Sequence, residues 1–559
     1  MAVLFGAVGI RLVNLQVLSP EEYAARGVAQ RLRSVELPAE RGSIFDRNGV
    51  ELAMSVRQQT VWADPRLVDD PAAAAARLAP VLGADPAGLQ AKLSQEAAFT
   101  YLARQVDGET AAAVEALGIR GVGLIGESKR FTPAGDLAAS VLGDVDVDNR
   151  GLSGLEQQYE ERLVGTPGEL HIERGPDGRT IAGGEQKITP ASRGNDLVLT
   201  IDRSLQYEVE RALAEQILGT NAERASAIVM DPATGEILAM ANVRATPEGP
   251  RPTRDNWALT AAFEPGSVNK AITIAGALEE GLVEPSTVLE VPDRHRVSVH
   301  TFSDHDPHPP MQWTVADILT QSSNVGTIKI AEALGEQRVK DYLRRFGLGQ
   351  VTGLGFPQET RGIMNFERWN GTDIGSIPIG QGVSVNALQM LQVFNTLANG
   401  GEWIAPQLVK ATVGPDGEEE RAAAPERRRV VSEATADRMT AMLANVVAVG
   451  TGTNAQIAGY TVAGKTGTAR KPDNKGGYEL GAYISSFAGF VPAEQPRLSA
   501  IVVLDEPRPV YYAGLVAAPV FAQVSKYALR LLRIPPPSQG LAAEAAVPAV
   551  QPVDVAVRD

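Results

Sequence analysis

Two pairs of short apolar runs, one pair near residue 230 and the other near residue 490, constrain the fold of this chain more than any other feature. Residues 225–230 and 237–241 flank Asp231-Pro232-Ala233-Thr234-Gly235-Glu236, a loop with turn chemistry. Residues 483–491 and 498–504 repeat the pattern around Pro492-Ala493-Glu494-Gln495-Pro496. A short strand over 196–201 and a helical period over 202–218 precede the first pair, and helical sequence fills the interval between the pairs. Strand-forming sequence at both ends of one region predicts an antiparallel sheet joined by its termini, with helices on both faces. The fold class is therefore α+β.

Upstream the texture is irregular. Arg41-Gly42-Ser43-Ile44-Phe45-Asp46-Arg47-Asn48-Gly49 ends in Asn-Gly, a hairpin signal between extended segments. Residues 71–117 are alanine-rich with helical spacing, and Gly175-Pro176-Asp177-Gly178 is a second tight turn. These predict a separate α+β region ending near Asn195. Residues 1–10 are continuously apolar, Arg11 interrupts, and 12–18 continue with polar insertions. A spanning helix needs roughly 20 mostly apolar residues, and a secretory signal needs a basic start and a small-residue cleavage point. The segment satisfies neither and is read as the outer half of a membrane anchor, with a buried N-terminal helix as the alternative. Ser19-Pro20-Glu21-Glu22 reads as a helix N-cap with proline at the first helical position. The expected layout is a partial anchor over 1–18, a non-catalytic domain over 19–195, a catalytic domain over 196–534 and a disordered Pro/Ala-rich tail over 535–559.

Composition removes several chemistries. A net charge of −15 argues against a nucleic-acid partner, which needs a basic surface. The absence of cysteine removes disulfides, thiolate nucleophiles and cysteine-ligated metals.

Three short motifs remain, all in the second region. In Phe263-Glu264-Pro265-Gly266-Ser267-Val268-Asn269-Lys270, proline and glycine precede a serine that opens a helix, so Lys270 shares a helix face with Ser267. A serine hydroxyl needs an adjacent base, and lysine is one only when burial or a nearby cation makes it neutral. Taken alone, the pair also fits a serine N-cap beside an exposed lysine. Ser322-Ser323-Asn324 sits between helical runs over 314–321 and 325–334, where a hydroxyl and an amide can point into a cleft. An ordinary polar turn has the same composition. Lys465-Thr466-Gly467-Thr468 follows strand-like Thr461-Val462-Ala463 and precedes a polar loop over 470–477. Gly467 permits close approach of another backbone, and a strand edge there could donate an N–H to an oxyanion while Lys465 and the threonines hold a carboxylate. A solvated strand end is the alternative. The order Ser-x-x-Lys, Ser-x-Asn, Lys-Thr-Gly on helix, turn and strand matches the set found in β-lactamases and penicillin-binding proteins.

On these residues the chain resembles a class B penicillin-binding protein. Residues 41–49 are similar to that family's Arg-Gly-x-Ile-x-Asp-Arg-x-Gly signature, and Gly151-Leu152-Ser153-Gly154-Leu155-Glu156 to another element of its pedestal domain. Arg11-Leu12-Val13-Asn14-Leu15-Gln16-Val17 resembles the outer end of its transmembrane helix. The stretches 264–270, 323–327 and Ile379-Gly380-Gln381-Gly382 resemble the septal, cell-division subtype. The resemblance implies a penicillin-binding/β-lactamase-like transpeptidase domain behind a pedestal, and a peptidoglycan D,D-transpeptidase that β-lactams inhibit. It implies Ser267 as nucleophile, Lys270 as base, Ser322 and Asn324 as proton relay and positioning groups, and Lys465 as electrostatic support. Thr466 and Thr468, with Gly467 between them, would bind the substrate carboxylate, and the N–H groups of Ser267 and Thr468 would form the oxyanion hole. Implied partners are stem peptides, the lipid-linked precursor, β-lactams, a membrane glycosyltransferase and divisome proteins. The implied location is the cell membrane, with the catalytic domain outside the cytoplasm.

Competing readings are a D,D-carboxypeptidase, in which water resolves the acyl-enzyme, and a β-lactam sensor or wall-synthesis scaffold without catalysis. A serine β-lactamase leaves the large upstream region unexplained, and no residue here marks its deacylating acid. His300, Asp304, His305, Asp306 and His308 have metal-ligand chemistry, but they lie in a proline-rich stretch without ligand spacing and are read as a solvated loop. No metal or other cofactor is expected.

Overall fold

The computed structural model describes residues 32–173, 186–473 and 477–537, with Phe5, Gly6 and Gly9 besides. The proposed anchor apart from those three, the N-cap at Ser19, the turn at 175–178 and the tail beyond 537 lie outside the described residues. No helix among the described residues is long and apolar enough to cross a membrane.

The catalytic sheet has six strands. They are β1 (Arg224–Met230), β2 (Ile237–Arg244), β3 (Arg251–Pro252), β4 (Ala463–Pro472), β5 (Tyr478–Val491) and β6 (Leu498–Asp505), in the order β3-β2-β1-β6-β5-β4. Every pairing is antiparallel, and β1 meets β6 with Met230 opposite Ser499. The two ends of the region are thus neighbours in one sheet, as the paired apolar runs predict.

Strand alternation divides the side chains between two cores. Ala225, Ala227 and Val229 join one cluster, while Ile228 and Met230 join the other. The first core is closed by α1 (Arg203–Thr220), through Leu205, Val209 and Leu213, and by the C-terminal helix Ala518–Leu531, through Phe521 and Val524. Asp202 caps α1 by accepting from the Ser204 and Leu205 N–H groups. On the other face lie α2 (Lys270–Glu279), α3 (Asn324–Leu334), α4 (Ala387–Ala398) and α5 (Glu433–Ala448). Every residue of α4 is buried, and its polar stripe of Gln389, Gln392, Asn395 and Thr396 is hydrogen-bonded inside the protein.

The upstream region departs from the sequence reading in one respect. Residues 71–117 form three helices, Pro71–Leu82, Pro86–Leu93 and Gly108–Ala116, and a strand, Thr100–Val106. Asp70, Asp85 and Asp107 each cap a new helix, and Gly83 ends the first at φ 59°. Local capping overrides a continuous helical composition. The Asn48-Gly49 hairpin is present, with Ile44–Phe45 antiparallel to the long strand Glu51–Ala63 and Gly49 at φ 81°. Ile44–Phe45 also pairs, in parallel, with Asp196–Leu199, which pairs in turn with Val409–Val413. One seven-stranded sheet therefore contains strands from both the upstream region and the catalytic region.

Candidate active site

The three motifs meet on the inner face of the sheet. Gly266–Asn269 is a 3-10 turn running straight into α2, rather than the first turn of an α-helix. With three residues per turn, Ser267 and Lys270 eclipse more closely than α-helical spacing allows. Gly467 on β4 faces this turn. A Cβ there would fall 2.7 Å from the Pro265 carbonyl, so only glycine lets the strand edge approach the serine. Gly380, at φ 79°, closes the other side and its carbonyl accepts the Gly266 N–H at 3.0 Å. Asn269 donates to the Ile377 carbonyl at 2.7 Å and ties the same segment to the motif.

Lys270 is fully buried and donates to the Ser322 carbonyl and to Asn324 Oδ1 (2.8 Å), with Ser322 Oγ at 3.3 Å. Lys465, also fully buried, reaches Ser322 Oγ at 3.0 Å, Thr466 O at 3.1 Å and Thr466 Oγ1 at 3.2 Å. Ser322 is thus shared by both amines, and it stands in the left-handed region at φ 62°. Burial pushes the Lys270 ammonium down to about 7, partly opposed by the Asp304 carboxylate. Burial and the neighbouring Lys270 push Lys465 well below its ordinary value. Two fully buried amines brought together without a bonded carboxylate among the described residues cannot both stay charged. A neutral amine has two N–H donors and one lone pair. With the donors directed at the Ser322 carbonyl and Asn324 Oδ1, which only accept, the lone pair of Lys270 is free for a hydroxyl proton.

Ser267 is half-buried, and no hydrogen bond links its hydroxyl to Lys270 among the described residues. Such contacts often tighten only in the substrate complex. Thr468 Oγ1 accepts the Ala513 N–H at 3.2 Å, and Thr466 Oγ1 pairs with Thr451 Oγ1 at 2.7 Å. The strand carrying them runs to Pro472, so Arg470–Pro472 are strand rather than polar loop; the partner strand β5 extends the ladder past the motif.

Three contributors escaped the sequence reading. Thr451 follows α5 in Gly450-Thr451-Gly452, and only the glycine pair hinted at a tight return. Glu264, buried inside the first motif, accepts from the Gly382 N–H (2.8 Å) and the Tyr478 hydroxyl (3.1 Å), and burial pushes its carboxyl up. The third corrects the solvated-loop expectation. His300–Ser303 is a strand paired with Arg294–Val297, and the side chain of Asp304 is only 6% exposed. Asp304 turns inward, while most of the loop that carries it stays exposed, so the expectation fails at this residue rather than along the loop. His305 and Asp306 are exposed, and no group of three metal-ligating side chains converges among the described residues.

Comparison with known proteins agrees with this geometry. The penicillin-binding protein transpeptidase domain model matches residues 225–526 and the penicillin-binding protein dimerisation domain model residues 36–199. The chain belongs to the penicillin-binding protein transpeptidase family. Penicillin-binding protein PbpB of Mycolicibacterium smegmatis is 34% identical, over 94% of this chain and 88% of its own. Peptidoglycan D,D-transpeptidase FtsI of Escherichia coli is also 34% identical, over 94% and 89%. Among solved structures, penicillin-binding protein 3 of Mycobacterium tuberculosis complexed with aztreonam superposes with a TM-score of 0.71 at 31% identity, covering 90% of this chain and 98% of that one. A peptidoglycan synthetase of Bifidobacterium adolescentis gives 0.74 at 29%, covering 91% and 98%. The transpeptidase thus carries a dimerisation domain ahead of its catalytic domain, and the class B, septal-type resemblance holds.

Proposed function

We propose that this penicillin-binding transpeptidase cross-links peptidoglycan stem peptides through an acyl-enzyme on Ser267. The observation that carries the reading is the buried lysine pair sharing Ser322, one amine held near neutrality beneath the serine turn. Lys270 takes the Ser267 proton as Oγ attacks the carbonyl between two terminal D-alanines. The N–H groups of Ser267 and Thr468 receive the oxyanion on the strand edge that Gly467 brings close. Ser322, between the two amines, relays the proton to the departing D-alanine nitrogen, and Asn324 orients the substrate amide. Lys465, with Thr466 and Thr468, binds the terminal carboxylate; arrival of that anion favours a proton on Lys465. An amine of a second stem peptide then attacks the ester, Lys270 takes its proton, and Ser267 leaves with a proton restored. β-Lactams acylate the same hydroxyl.

Residues 19–195 are read as the pedestal and 196–534 as the catalytic domain; the family matches at 36–199 and 225–526 support a division in this part of the chain. The apolar run at 1–10 supports a membrane-anchored enzyme with its catalytic domain outside the cytoplasm, where the lipid-linked precursor is polymerised. Its partners on this reading are a membrane glycosyltransferase and divisome proteins. Purified protein incubated with a donor stem peptide and an amine acceptor tests the reaction. Cross-linked product is expected; free acid alone would mean a carboxypeptidase, and neither product would mean a scaffold or sensor.

A further inference from the structure

The loop following the strand His300–Ser303 carries a carboxylate that none of these steps uses. Asp304 accepts from Ser323 Oγ at 2.7 Å, from the Val325 N–H at 2.9 Å and from His308 Nε2 at 3.0 Å. His308 Nδ1 faces the Pro309 carbonyl at 2.8 Å, so both ring nitrogens meet acceptors, which suits a cationic imidazole. Next door, the Ser303 carbonyl accepts Asn324 Nδ2 at 2.9 Å, which turns Asn324 Oδ1 toward Lys270. Ser323 is itself held at both ends, since its hydroxyl also accepts the Gly326 N–H at 2.8 Å and caps α3. Between these anchors Ser322 sits at positive φ, a conformation costing about 1 kcal/mol or more for a residue with a Cβ, so the turn needs external bonds to persist.

We propose that Asp304 is a positioning residue of the catalytic site, clamping the Ser322–Asn324 turn beneath Lys270 and Lys465 and placing a carboxylate beside Lys270. This rests on Lys270 being the base for Ser267. The charged groups around Lys270 come from separate elements: Lys465 from β4, Asp304 from the loop, and His308 on the far side of Asp304. Asp304 draws a proton onto Lys270, whereas Lys270 drives one off Lys465.

The test is the rate of acylation of the full chain by a fluorescent penicillin as pH crosses neutrality, in the wild type, D304N and S323A. The wild type should show an acid limb centred near the Lys270 titration. D304N should lower the plateau by roughly ten- to a hundredfold through a displaced turn, and should also move the limb to lower pH. S323A, which keeps the charge, should lower the plateau with the limb unmoved. The midpoint is read only from protein that labels, so partial unfolding does not shift it. A D304N limb at the wild-type midpoint overturns the proposal, as does an S323A plateau equal to that of the wild type. If D304N does not fold, S323A decides alone. A wild type that labels without any such limb would instead count against the lysine base and leave the clamp out of the question.

Discussion

Two buried cationic clusters in this molecule solve opposite problems. In the pedestal, Arg41 and Arg130 share Glu156. Arg41 Nε meets one carboxylate oxygen and Arg130 Nε the other, each at 2.6 Å, and the carboxylate is 2% exposed. Arg41 Nη2 also donates to the Glu156 carbonyl at 2.7 Å, and Arg130 Nη1 to the Gly42 carbonyl at 2.7 Å. In the catalytic domain Lys270 and Lys465 share a serine, with no carboxylate bonded to either among the described residues. Guanidinium cannot lose its proton, so burying it demands a paired anion. Ammonium can, so burying two together yields a base. One cluster retains its charge for structure, and the other sheds it for reactivity.

The sharpest break of this contrast is at the nucleophile. Ser267→Ala should abolish covalent labelling by fluorescent penicillin while leaving the melting temperature near wild type, read by in-gel fluorescence beside calorimetry. Labelling that persists in this variant rejects the nucleophile.

Lys270→Met should lower acylation by roughly 10²–10⁴-fold, the usual contribution of a positioned base. The same variant should be more stable at neutral pH than its parent. The unfolded lysine titrates at its ordinary 10.5 and the folded one at about 7. Between those values the unfolded chain binds the extra proton, so parental stability rises with pH from 7 toward 10.5, by up to about 5 kcal/mol. Below 7 the full burial cost is felt. A parental melting temperature flat across that window would remove the neutral-amine argument.

Glu156→Gln is the mirror image. It leaves Arg130 without its bonded anion and Arg41 with Glu160 alone, and should destabilise the fold by about 3–5 kcal/mol, measured by denaturant unfolding. Acylation of the folded fraction should stay at the parental rate. Equal stability in this variant would mean that water or Glu160, which lies 2.6 Å from Arg41 Nη1, takes over the pairing.

Thr451→Val should give the smallest effect. It removes the hydroxyl partner of Thr466 and should weaken peptide acylation by about 1 kcal/mol, roughly fivefold, through a loosened carboxylate site. A loss as large as that of Lys270→Met would place Thr451 in the proton relay.

Much of this molecule is legible in its sequence. The continuous apolar runs of β1, β2, β5 and β6 predicted a sheet covered on both faces, because strands buried on both sides need no polar face in alternation. The helical runs read from Asp202 and Thr314 begin at true N-caps, because capping is satisfied within a few residues. Lys270, Ser322, Asn324 and Lys465 were found from motif order, and the structure brings all four together.

Other features depended on pairings between distant segments. The helical texture of 71–117 concealed a strand, since Thr100–Val106 is held by hydrogen bonds to Glu51–Ala63 rather than by its own composition. Asp304 looked like a loop residue because its role depends on Ser323 and Val325, some twenty residues away. The protonation of Lys270 was equally invisible: a lysine written in sequence is a cation, and only burial makes it a base. Local order follows from neighbours along the chain, whereas reactivity here follows from desolvation, which arises only when separate segments close over the same side chain.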